Sequence, residues 1–117
     1  MTPDEHVARA ERIITSLRKL ALPDDYLAIV DGAMIAGYHL GNALLHRHGV
    51  LPVTAHANSP SRLETPVAAL PALLQPVFHA FAELERLRSE YVRGPSDYGA
   101  ELSGTVWKHL EVMRRAN

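Results

Sequence analysis

At 117 residues, with 47% hydrophobic and 21% charged residues, the chain has the composition of one folded domain spanning 1–117 and not of a disordered segment. A formal charge of −1 argues against a strongly basic surface that coats nucleic acid, though a balanced total leaves room for a local patch, and the absence of cysteine excludes disulfides, thiolate nucleophiles, iron–sulfur clusters and cysteine zinc sites. The polar, acidic start MTPDEHVARAER and the lack of a bilayer-length apolar run predict a cytoplasmic protein that makes no use of a membrane.

Thr2-Pro3-Asp4-Glu5 combines a capping threonine, a proline for the first helical position and a glutamate placed to reach back to the cap, so a helix begins here. Val7, Ala10, Ile14, Leu17 and Ala21 recur at helical spacing, and the pattern predicts a helix ending near Leu22-Pro23. Asp24 and Asp25 then offer caps for a second helix, apolar from Tyr26 to Leu45 and stopped by Gly49. It is expected to be the most buried helix, about 25 residues and roughly 37 Å long. Gly32, Gly37 and Gly41 would let neighbours approach it closely.

Residues 50–66 mix prolines with Ser, Thr and Asn and show no sustained period, which predicts a loop of the length that often carries function. Leu70, Leu73, Val77, Ala80, Leu84, Leu87 and Tyr91 form a seam for a third helix that Gly94-Pro95 ends; Pro66, Pro71 and Pro76 are each suited to its first turn. Ser96 or Asp97 can cap a fourth helix with Leu102, Val106, Leu110 and Met113 on its apolar face. With no period-two segment, the expected fold is all-α: an antiparallel, up-and-down four-helix bundle.

The second helix carries one polar strip. Asp31, Tyr38, His39, Asn42 and His46 fall within about 100° of one another at helical winding, so they face solvent, partner side chains or a ligand, since buried and unpaired they would each cost a few kcal/mol. His48 sits off the strip and suits helix termination. A metal could use His39, His46 and a swung-in His56, but no established metal-ligand spacing is present, and neither a metal site nor a cofactor is expected. On the third helix Glu83, Arg86 and Glu90 are spaced for ion pairs, while Tyr91 falls on the apolar seam with a hydroxyl in need of a partner.

Arg86-Leu-Arg-Ser89-Glu90-Tyr91 resembles the Arg-x-x-Ala-Asp-Tyr signature of HEPN-like helical domains, with Ser for Ala and Glu for Asp, and Tyr38 to Gly49 is similar to the helix that precedes it there. The resemblance covers roughly residues 24–115. It implies an up-and-down bundle that dimerises through its helices and serves RNA or nucleotides, often in toxin–antitoxin or defence systems beside a nucleotidyltransferase-type antitoxin partner. Catalytic members place a histidine after an arginine and four to six intervening residues; none of the ten arginines here is so followed, so a competent ribonuclease is not expected.

The resulting expectation is a homodimeric module binding a nucleotide, RNA or partner protein through Asp31, Tyr38, His39, Asn42, His46, Arg86, Glu90 and Tyr91. The alternatives are a histidine-based or metal-dependent hydrolase, and a purely structural interaction subunit.

Overall fold

A computed structural model describes all of residues 1–117. Four helices form the protein, α1 Pro3–Leu17, α2 Tyr26–Arg47, α3 Gln75–Leu87 and α4 Leu102–Arg115, and there is no strand. None of them is long and apolar enough to cross a membrane.

The start of α1 is the capping box read from Thr2-Pro3-Asp4-Glu5: the Glu5 N–H donates to Thr2 Oγ1 at 3.2 Å, and the Thr2 N–H donates to Glu5 Oε2 at 2.7 Å. The helix stops at Leu17, earlier than its stripe suggested, because residues 18–25 fold into turns before α2; Ala21 is accordingly exposed, and the buried stripe is His6, Ala10, Ile14 and Leu17. Two ion pairs hold α1 in place. Arg114 grips Glu11 through two bonds of 2.8 Å, and Arg47 reaches Asp4 at 2.6 Å.

α2 is the centre of the molecule, buried along most of its length from Ile29 to Leu45 and packed by each of the other three helices. Its glycines explain how closely they approach. A β-carbon at Gly37 would lie 3.0 Å from the Phe81 ring, and one at Gly32 2.4 Å from Leu17 Cδ2. Gly41 meets Phe78 and Phe81, so the C-terminal half of α2 lies beside the first turns of α3. Phe78 and Phe81 meet edge to face with ring centroids 6.0 Å apart, and both are fully buried. Gly49 closes α2 in the left-handed region, φ +69°.

The start of α3 uses all three prolines. Pro66 and Pro71 each lead a short 3₁₀ turn, Val67–Ala69 and Ala72–Leu74, and Pro76 occupies the first turn of α3 proper. The 3₁₀ winding shifts the phase of the seam, so Leu73 is 78% exposed, against expectation, and Leu74 takes its place in the core. Past Leu87 the chain widens into a π-helical stretch, Arg88–Arg93. α4 buries Leu102, Val106, Leu110 and Met113 as its spacing predicted. Its cap is neither Ser96 nor Asp97: the chain enters through Glu101, and Ser103 and Gly104 (φ +83°) break the first turn.

Candidate functional site

The capping box fixes the first turn of α1 and with it His6, which is 1% exposed and fills the position on the buried stripe one turn before Ala10. Opposite it, α2 presents Tyr38, His39 and His46, all half-buried. The loop after Gly49 adds His56. Asn42 sets its position: fully buried, it donates through Nδ2 to the Ala57 carbonyl at 2.9 Å and accepts the Ala57 N–H at Oδ1 at 2.8 Å. A side-chain amide thus completes the backbone bonding of the residue next to His56, and the loop is tied to the helix where the imidazoles meet.

Four histidines form one cluster. His6 Nδ1 lies 2.9 Å from His39 Nδ1, and His6 Nε2 lies 3.2 Å from His56 Nε2. The His46 ring centroid is 5.4 Å from that of His6 and 5.1 Å from that of His56. Tyr38 packs edge-on to His39 with centroids 4.9 Å apart, walling the cluster on one side.

The tautomer of His46 follows from its partner. His46 Nδ1 faces the Leu51 carbonyl at 3.2 Å, and a carbonyl only accepts, so Nδ1 carries the proton and Nε2 the lone pair. That Nε2 is buried and has no partner in the chain. His6 meets His39 through Nδ1 and His56 through Nε2, so in each of these contacts one of the two nitrogens carries the shared proton. His6, His46 and His56 each offer one ligating nitrogen, and these three atoms lie within 4.8 Å of one another.

Electrostatics disfavours the charged form of His6, His39 and His56. Burial, then the neighbouring His39, His56 and His46, depresses His6 from the ordinary histidine value to about 4. Burial followed by the nearby Arg9 charge lowers His39, and burial followed by His46 lowers His56. At neutral pH these three imidazoles are therefore uncharged, which is the state a metal ion requires of its ligands.

The remaining strip and signature residues lie in other settings. Asp31 is half-buried and takes no part in the cluster. Arg86, Glu90 and Tyr91 form a second group: Arg86 reaches Glu83 at 3.2 Å, Glu90 at 2.9 Å and Glu101 at 3.4 Å, and the buried Tyr91 hydroxyl donates to Glu101. That bond, with burial, pushes the Tyr91 phenol up to about 12 and, with Arg86, holds Glu101 below the usual carboxylate range. This group packs near the entry to α4, where a β-carbon on Gly99 would lie 3.2 Å from the Tyr91 hydroxyl, whereas the histidines come from α1, α2 and the loop after Gly49. Tyr38, His39 and His46 of the strip converge on His6 and His56 and not on Arg86 and Tyr91.

The residue that sequence reasoning passed over is His6. Its signal was its spacing of four before Ala10 on the α1 stripe, a buried position for a side chain that needs a partner.

No protein-family model, curated protein or solved structure matches the chain.

Proposed function

We propose that this protein binds a divalent transition-metal ion, zinc being the simplest fit, through Nε2 of His6, His46 and His56. The observation that carries the reading is the buried, partnerless His46 Nε2 beside two Nε2 atoms 3.2 Å apart. Nitrogens bound tetrahedrally to zinc at about 2.05 Å are separated by about 3.3 Å, so the His6–His56 pair already has the spacing of one edge of such a site. The largest separation among the three ligand atoms, bounded by 4.8 Å, closes by small side-chain rotations. Imidazole and the absence of thiolate favour zinc, copper, nickel or cobalt over the hard cations.

Three protein ligands leave one tetrahedral position, and the exposed His56 places it on the solvent side. A bound water there would have its pKa lowered to near neutrality, so the chemistry this centre offers is metal-assisted hydrolysis. Calorimetric titration of metal-stripped protein with Zn²⁺ tests the reading. The expected result is saturable binding of one ion per chain, abolished in His46→Ala; binding that is absent, or unchanged in that variant, overturns it.

A second reading keeps the resemblance to HEPN-like domains: an antiparallel, homodimeric module for a nucleotide or RNA. Its specific support is that Arg86 and Tyr91 of the signature share the Glu101 carboxylate. Titration with nucleotides and short RNA tests it, since a bound ligand raises thermal stability and an unbound one leaves it unmoved.

A further inference from the structure

Beyond the Ala57 anchor, the loop and the chain from Glu85 to Arg93 line a half-open cavity of about 510 Å³ with polar residues only, among them Ser59, Ser61, Arg62, Glu85, Arg88 and Arg93. We infer that this cavity is an oxyanion site that takes a phosphate group.

The backbone explains why the arginines meet. In an α-helix, residues five apart point to different sides; the π-helical stretch Arg88–Arg93 is wound on i→i+5 hydrogen bonds, which bring Arg88 and Arg93 round to one face. Gly94 permits the closure, since a β-carbon there would meet the Glu90 and Ser89 carbonyl oxygens at 2.7 and 2.8 Å. Arg62 joins from the short 3₁₀ turn Pro60–Arg62 of the loop.

The charge is unbalanced. Arg47, Arg86, Arg114 and Arg115 are all ion-paired, but Arg62, Arg88 and Arg93 are not. Arg88 Nε is buried without a partner. The cavity's one carboxylate, Glu85, is already engaged by a neighbour in the lining: it accepts the Ser61 N–H at 3.2 Å and the Ser61 hydroxyl at 2.6 Å. Burial raises its pKa, but the bonds from Ser61 and Ser59 and the Arg88 charge outweigh this and keep it ionised. Two positive charges are left over, carried by guanidinium forks that match phosphate oxygens.

The lining also says what is not recognised. With no apolar or aromatic residue in it, the cavity has nothing to stack on a base, so the phosphate itself is the ligand's recognised part. Free phosphate and a phosphate monoester share that chemistry.

Thermal melts with inorganic phosphate, a nucleoside monophosphate, acetate and chloride at equal ionic strength test this. They are run with the neutral chelator 1,10-phenanthroline, so that no metal at the histidines contributes. The expected result is saturable stabilisation by phosphate beyond that by acetate or chloride, with affinity reduced about tenfold or more in Arg88→Gln and in the exposed Arg93→Gln. Equal affinity for the monophosphate identifies the free ion as sufficient; tighter binding identifies an ester. Stabilisation that is absent, equalled by chloride, or retained in both variants overturns the inference, and none of these results bears on zinc binding.

Discussion

Asn42 and Ala57, fifteen residues apart in sequence, exchange two hydrogen bonds of 2.8 and 2.9 Å in the interior of the protein. The side chain of one helical residue thereby fixes the backbone beside His56. Asn42→Ala leaves the Ala57 N–H and C=O unpaired and is expected to cost about 2 to 4 kcal/mol in denaturant unfolding. It should also weaken zinc binding through release of His56, and unchanged affinity would show that the loop is held by other means.

His6 makes stability depend on pH. Its imidazole protonates near the ordinary histidine value when unfolded and at about 4 when folded, so between those values the unfolded chain binds the additional proton. Stability is full above the unfolded value and is lost as the pH falls toward 4. Melts of metal-stripped protein should therefore show Tm falling across that window, with a shallower fall in His6→Gln; a parallel fall in the variant would assign the effect to other groups.

His39 bonds the Nδ1 side of His6 without itself belonging to the proposed ligand set. Partners of this kind orient a ligand, and their loss typically lowers metal affinity 10- to 100-fold. His39→Ala should keep one-to-one zinc binding at affinity reduced by about that factor, as read by competition with a chromogenic chelator, whereas loss of all binding would make His39 a ligand.

Tyr91→Phe removes the hydroxyl that Glu101 accepts and leaves the ring in the core. A fall of a few degrees in Tm is expected, with zinc affinity unchanged because the Tyr91–Glu101–Arg86 group shares no hydrogen bond with the histidines. A change in zinc affinity would mean that they are coupled.

Much of the scaffold was legible because it is local. The Thr2–Glu5 capping box, the Gly49 terminator and the Leu102, Val106, Leu110 and Met113 face depend only on near neighbours, and each is where its spacing put it. Leu73 was misplaced because 3₁₀ turns after Pro66 and Pro71 change the period that a uniform helical reading assumes. The π winding of Arg88–Arg93 broke the same assumption, which hid the meeting of Arg88 and Arg93. The strip on α2 was visible, and with it His56 as a residue able to swing in, but His6 was not: it lies 33 residues from His39, and its approach is set by tertiary packing.

The most direct test of the metal centre is X-ray absorption spectroscopy of the zinc-loaded protein. The account predicts a four-coordinate ion with three imidazole nitrogens at about 2.0 to 2.1 Å and one further light ligand. A six-coordinate oxygen shell, like that of the hydrated ion, would contradict it.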